Sequence, residues 1–301
     1  MLDLDNISVI FVTFDSCTLE TALKAQTTDL NKISPTLEGE ANSTFTYPAH
    51  YAFFAGHLPR LVSERYYFES YTNIWRSTLA SEHSNETMLT FDTKNIIDYY
   101  TNLGFNVRGY GGVSFFDTYK RNNSLPTLFS NFRYFGLKKN PPIDERVPRL
   151  ASSFPLNNIN EILNDININK PFFVFINSIA THIPYDTPDS VLPKDYSNLV
   201  SRLYKEHYSK QRHQLNKIPF SKVEVEIFKR RQVEALEWAD TKIGLLIDGL
   251  PKNRPVLFLA CSDHGEEFGE GGRFGHAHYH PTVMKVPLWC GLVNNPSTHN
   301  M

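Results

Sequence analysis

The sequence predicts an α/β fold, a central, mostly parallel sheet flanked by helices and interrupted by insertions. Three short, continuous apolar runs carry that expectation: Val9 to Phe14, Phe172 to Ile176 and Val256 to Ala260. Each is rich in β-formers and bounded by polar or turn residues, as strands buried on both faces of a parallel sheet are. The second observation is a long amphipathic stretch from about Val223 to Leu250, with Ile227, Phe228, Leu236, Ile243 and Leu246 on one stripe. It ends at Gly249-Leu250-Pro251 and leads directly into the Val256 run, the helix-then-strand alternation of a crossover sheet.

In chain order, the first strand runs into Phe14-Asp15-Ser16-Cys17, where Asp15 is either a metal ligand or, with Ser16, a helix N-cap. A helix starting at Thr46, with Pro48 in its first turn, follows Ser43-Thr44-Phe45. Thr93 as N-cap and Gly104 as C′ residue frame a further helix, followed by a weaker strand over Val107 to Tyr110. Residues 61–90, 139–158 and 185–222 are polar, proline-containing or mixed in charge and read as excursions from the sheet. With no internal repeat or low-complexity tract, residues 1–301 are expected to form one domain with insertions.

Composition narrows the function. Lys+Arg number 30 against 32 Asp+Glu, for a net charge of −2, which argues against a broad nucleic-acid-binding face. An anionic substrate would need local positive charge from a metal, His or Arg. The three cysteines, Cys17, Cys261 and Cys290, are far apart and fit a reducing compartment better than a disulfide framework. The N-terminus is acidic where a signal peptide is basic, and no run reaches the roughly 20 apolar residues of a membrane span. The expected setting is cytoplasmic, with no membrane partner.

The chemistry-bearing residues cluster after the strands, where α/β sheets place their sites. Asp263-His264 follows the Val256 run within Ser262-Asp263-His264-Gly265-Glu266, offering hard oxygen and borderline nitrogen to one divalent cation. Gly265, Gly269, Gly271, Gly272 and Gly275 suggest a loop folding back over that site, bringing His276, His278 and His280 with it. Thr46 at a helix start places a hydroxyl among unpaired amides that suit an anion, or is merely an N-cap. His182, in Ala180-Thr181-His182-Ile183-Pro184-Tyr185, contacts substrate or caps its loop. Phe115, Phe116, Tyr66, Tyr67 and Trp75 read as core in preference to an aromatic wall. Arg202, Arg212, Arg230 and Arg231 read as solvated charges in preference to substrate contacts.

Together these segments, in this order from Ile7 to about Val293, resemble the alkaline phosphatase superfamily and its sulfatase-like branch. The resemblance rests on Asp15, Thr46-Tyr47-Pro48-Ala49-His50 with Gly56, His182-Ile183-Pro184-Tyr185, Gln232 to Ala235 with Asp240, Ser262 to Glu266, and Gly275-His276 leading to Val286-Pro287-Leu288. It implies that Asp15, Asp263 and His264 bind metal, and that Thr46 is both nucleophile and ligand. His182 and His276 would face the transferred group, with His278 as a substitute for His276. Sulfatases carry Cys or Ser where Thr46 stands and Arg where His50 stands, so formylglycine chemistry is not expected. Thr followed by an aromatic and Pro looks instead like the phosphodiesterase and phosphoethanolamine-transferase members, which act at phosphorus. Ser178 and Ser16 stand where two-metal members and many sulfatases place an Asp. The expected cofactor is therefore one firmly bound divalent ion, zinc or manganese before magnesium or calcium, with room for a second. The expected reaction is hydrolysis of a small anionic phosphate ester through a phospho-Thr46 intermediate. Its rivals are transfer to another alcohol, sulfatase-like turnover without formylglycine, and a non-catalytic metal-binding module.

Overall fold

Strand β1 (Ser8–Phe14) lies at the centre of a seven-stranded sheet because every one of its residues but one is buried. Its alternate side chains feed two separate cores. Ile10, Val12 and Phe14 pack on one face with the long helix, while Val9 and Phe11 pack on the other. This two-sided burial is why the strand reads as an unbroken apolar run. The computed structural model describes residues 7–56, 95–120, 123–136, 148–166, 169–207 and 220–294.

Sheet order is β2-β9-β6-β1-β5-β3-β4. Strands β6 (Val256–Ser262), β1, β5 (Phe172–Ser178), β3 (Asn106–Gly111) and β4 (Phe132–Tyr134) are parallel to their neighbours. Strand β9 (Lys285–Val293) runs antiparallel to β6, and β2 (Leu37–Glu40) antiparallel to β9. The sheet is thus mostly parallel, as expected, with an antiparallel edge. Register places Phe14 beside Ser178 and Ser262. The residues that follow, Asp15, Ile179 and Asp263, therefore leave the sheet together at one end.

Helices follow the sequence where periodicity is strong. The long helix, α7 (Lys222–Gly249), starts from a Ser221–Glu224 capping box and buries Phe228, Ala235, Leu236, Ala239, Ile243 and Leu246. Helix α4 (Ile96–Asn102) is capped by Asn95, whose side chain accepts from the Asp98 amide at 2.9 Å. Thr93, the expected cap, lies outside the described residues. Gly104 takes the left-handed conformation (φ +80°) past the helix end, as expected.

Other elements were not legible. Helices α1 (Leu19–Lys24) and α2 (Thr28–Ile33) are too short to show a period. Residues 185–222 leave the sheet, as read, but carry a helix the sequence reading did not place: in α6 (Tyr196–His207), Tyr196, Val200 and Leu203 are buried with Phe220 and Phe228. Helix α5 (Ile159–Asp165) packs beside α7 on one face of the sheet, its Ile159 and Ile162 in the same core as Leu236 and Leu246, and 3₁₀ turns at Ala151–Ser153 and Pro155–Asn157 lead into it. The 61–90 excursion lies outside the described residues. No helix among the described residues is long and apolar enough to cross a membrane.

On the second face, helix α3 (Thr46–Ala55) is buried nearly all round. Phe175 of β5 anchors it, with ring centroids 5.1 Å from Phe54, 5.6 Å from His50, 5.8 Å from Phe11 and 5.9 Å from Phe129. Phe116 is buried in the same cluster and Phe115 packs against it, so both are core, as read. Phe175→Ala should cost about 3–5 kcal/mol of stability. Urea unfolding should show a lower midpoint at an unchanged slope, and a loss below about 1 kcal/mol would contradict this packing account.

Candidate metal centre and active site

Three strand ends build the site. Asp15 follows β1 and is fully buried; its amide donates to the Ser178 carbonyl at 3.0 Å, and its own carbonyl accepts from the Thr181 hydroxyl at 2.7 Å. Ser16 is held at φ +64°, an uncommon conformation for a residue with a side chain. That turn aims the Ser16 amide at Asp263 Oδ1 (3.2 Å) and its hydroxyl at Asp15 Oδ1 (2.9 Å). Neither residue is a helix cap; Thr18 caps α1. Below them, Gln232 of α7 donates to the Ser16 and Thr181 carbonyls and accepts from Thr18 and Thr21, tying both loops to the long helix.

Asp263 and His264 follow β6, and the Asp263 amide donates back to the Phe14 carbonyl at 3.3 Å. His264 Nδ1 lies 2.9 Å from the Gly265 carbonyl, an acceptor only, so Nδ1 carries the proton and Nε2 keeps its lone pair. That Nε2 is 3.5 Å from Asp15 Oδ1 and 3.6 Å from Asp263 Oδ2. Ligand atoms of Asp15, Asp263 and His264 all fall within 4.8 Å of one another. Gly265 cannot be replaced cheaply, because a Cβ would stand 2.1 Å from the Thr282 carbonyl oxygen.

The electrostatics of this cluster call for a cation. Burial, and then the charge of Asp15, push the Asp263 carboxyl well above the usual carboxylate range. Burial works the same way on Asp15, but His182, His264 and His276 together outweigh it and hold its pKa below the usual value. Burial, then His276, lowers the His264 pKa to about 3, so the imidazole is neutral and ready to ligate. Asp263 Oδ2 is buried without a hydrogen-bond partner among the described residues, an expensive arrangement unless something positive meets it. Two carboxylates and a neutral imidazole of fixed tautomer fit a divalent ion.

Thr46 is the first residue of α3, and the cap position belongs to Phe45, so its hydroxyl does not cap the helix. The hydroxyl instead lies 3.4 Å from both Asp15 Oδ2 and His264 Nε2. His50, one turn on, is fully buried. Its Nδ1 donates to the Thr46 carbonyl at 2.7 Å, which leaves Nε2 to accept from Thr13 at 2.8 Å. Burial lowers its pKa to about 4, so it is a neutral strut where sulfatases carry an arginine.

The glycine-rich stretch folds back through the hairpin of β7 (Glu267–Phe268) and β8 (Phe274–Gly275). It lays the His276 ring 4.4 Å from that of His264 and 5.5 Å from that of His182. His276 Nδ1 meets Glu266 Oε1 at 2.9 Å, and Tyr185 donates to the other oxygen of that carboxylate at 2.9 Å. Burial raises the Glu266 pKa to about 7. His278 is not brought to the cluster: its Nε2 sits 2.6 Å from Glu267 Oε2, in the base of the hairpin. Arg202 pairs with Glu224, Arg230 and Arg231 with Glu234, and Arg212 lies outside the described residues. Sequence reasoning assigned no role to Glu266 or His50; the partners of Glu266 arrive from the loop after β5 and from the β7–β8 hairpin, and Thr13 reaches His50 from β1.

Comparisons agree with this geometry at the level of fold. The chain is similar to the zinc-bound C-terminal periplasmic domain of EptC from Escherichia coli, with TM-score 0.60 and 13% identity over 99% of this chain and 77% of that one. It is similar to the phosphonate monoester hydrolase SpPMH from Silicibacter pomeroyi, with TM-score 0.62 and 14% identity over 95% and 68%. A third similar structure is the Streptococcus pyogenes phosphoglycerol transferase GacH in complex with sn-glycerol-1-phosphate, with TM-score 0.55 and 14% identity over 98% and 70%. No curated protein matches the chain in sequence. The family model described as Sulfatase matches residues 23–288, and with the sheet and strand-end site in place the chain belongs to the sulfatase family, of alkaline phosphatase-like fold.

Proposed function

We propose that this protein is a metal-dependent phosphoric-ester hydrolase that works through a covalent phospho-Thr46 intermediate. The observation that carries the reading is the Thr46 hydroxyl, 3.4 Å from both Asp15 Oδ2 and His264 Nε2 on the rim of a carboxylate–imidazole cluster. Asp15, Asp263 and His264 would hold the ion, with Thr46 beside them. A divalent cation there supplies charge stabilisation for a phosphoryl oxygen and acidifies a neighbouring hydroxyl.

The chain's own residues account for the rest. Thr46 Oγ1 forms the new bond to phosphorus while the bond from phosphorus to the leaving alcohol oxygen breaks. The Thr46 hydroxyl would give up its proton to solvent, acidified by the ion that Asp15, Asp263 and His264 would hold. His276, oriented by Glu266, returns a proton to the leaving oxygen; a raised buried acid beside an imidazole is suited to sharing one. His182 faces the transferred group and stabilises its charge. Water then attacks the phospho-threonine, releasing phosphate from a monoester substrate or a phosphomonoester from a diester, and restoring the hydroxyl. His50 holds the Thr46 carbonyl, and so the start of α3, in place.

A second reading is transfer of the phospho-substituent to another alcohol. It is favoured by the likeness to phosphoethanolamine and phosphoglycerol transferases, which share this fold. Product analysis with and without added alcohols separates the two. Threonine in place of cysteine or serine supports phosphorus over sulfur, so aryl phosphate should be turned over well ahead of aryl sulfate.

Thr46→Ala should reduce turnover of an activated phosphodiester by at least about 10³-fold while the metal content of the purified protein stays close to wild type. Undiminished cleavage by that variant would sink the nucleophile assignment. Stripping the metal with a chelator should lower the melting temperature, because two buried carboxylates lose their countercharge. Asp263→Asn should shrink that chelator-dependent shift, and an identical shift in wild type and variant would remove Asp263 from the ligand set.

A further inference from the structure

Arg149 lies in a stretch that carries no element of the sheet, yet its side chain is only 8% exposed. Its backbone amide donates to Asp186 Oδ2 at 2.5 Å and its Nε to Asp186 Oδ1. Nη1 donates to the Ile179 carbonyl at 2.9 Å. Nη2 reaches the Asp186 carbonyl at 2.9 Å and those of Ala180 and His182 at 3.4 Å. The guanidinium plane lies over the Phe154 ring, 4.8 Å from its centroid. One side chain thus collects a fully buried carboxylate and the carbonyls of the loop that carries His182.

The rest of that loop is fixed by other means. Gln232 holds the Thr181 carbonyl, His182 Nδ1 its neighbour Ile183, and the Tyr196 hydroxyl Pro184. Among the described side chains, Arg149 alone bridges the two ends of the loop, Ile179 at the exit of β5 and Asp186 beyond the turn. A lysine cannot do this, since one ammonium has no planar fork with which to span separated acceptors.

We propose that Arg149 is a positioning residue that sets where the His182 imidazole stands against His276 and Asp15. The consequence for turnover rests on the phosphoryl-transfer reading above; the consequence for the ring does not. Misplacing a catalytic group by about 1 Å can cost ~10²-fold in rate. Arg149→Lys should therefore lower kcat by about that factor, with KM within about twofold of wild type, and leave zinc content unchanged.

The test uses the zinc-loaded full chain in two variants, Arg149→Lys and the gentler Asp186→Asn. Histidine-ring NMR signals, with His182 assigned by its loss in His182→Gln, should shift for His182 in both variants and stay put for His278. Combined with His182→Gln, Arg149→Lys should add little further loss of kcat, as for residues acting in one unit. Unshifted His182 signals, or losses that multiply in the double variant, overturn the proposal. So does a collapse of near-UV ellipticity in both variants, which would make Arg149 a purely structural clamp. If the wild type turns over no phosphate ester, the proposed function fails while the ring signals still decide the role of Arg149.

Discussion

Two carboxylates, Asp15 and Asp263, face one another in full burial at the ends of adjacent parallel strands, and much of the structure answers that conflict. Like charges this close cannot both ionise at ordinary pH without compensation, and burial raises the cost. The protein meets part of it with dipoles, the Ser16 and His264 amides on Asp263 and the Ser16 hydroxyl on Asp15. It meets another part with the imidazoles of His182 and His276 around Asp15. The remainder, marked by the unpartnered Asp263 Oδ2, is what a divalent ion would take up.

That requirement explains features that would otherwise be odd. Ser16 adopts a left-handed backbone because only that turn points both its amide and its hydroxyl at the acids. Gly265 lacks a side chain because α8 (Pro281–Met284) presses the Thr282 carbonyl against it, fixing the segment that follows His264. Helix α3 begins at Thr46 with no side-chain cap, so the hydroxyl is spent on the cluster and not on its own helix. A cap is typically worth ~1 kcal/mol, a modest local sacrifice for placing a hydroxyl oxygen beside the two acids. His50, neutral and hydrogen-bonded through both nitrogens, gives that helix start a rigid footing that an arginine's charge would make costly among Phe53, Phe54, Phe116 and Phe175.

Legibility in the sequence followed physical range. β1, β5, β6 and α7 could be read because their burial imprints an unbroken or periodic apolar pattern on contiguous residues. The grouping of Asp15 with Asp263 and His264 comes from the family resemblance; parallel register supplies its physical reason, bringing the ends of neighbouring strands together whatever lies between them in the chain. The ambiguity at Thr46, cap or cluster member, is one that only the helix start resolves. Arg230 and Arg231 read from sequence as solvated charges; Arg230 is, paired with Glu234 four residues on, but Arg231 is buried, with Glu234 and the Val191 carbonyl as its partners. Arg149 could not have been found this way: its partners are a carboxylate 37 residues on and main-chain carbonyls, which leave no trace in side-chain pattern.

The same logic separates His276 from His278, two residues apart on one loop. Each faces one glutamate of the Glu266-Glu267 pair, His276 on Glu266 and His278 on Glu267. Consecutive Glu266 and Glu267 point to opposite sides, and the left-handed turn at Ala277 (φ +70°) between the two histidines lets each follow its own glutamate, one pair toward the cluster and the other into the base of the hairpin. There Glu267 also accepts the Gly271 and Arg273 amides, which closes the glycine-rich turn. In the proposed function the inner pair, with Glu266 raised to about 7 and tied to Tyr185, would serve the proton transfer. The outer pair holds the loop that delivers it, so one backbone segment carries both a histidine that reaches the cluster and a histidine that supports the turn.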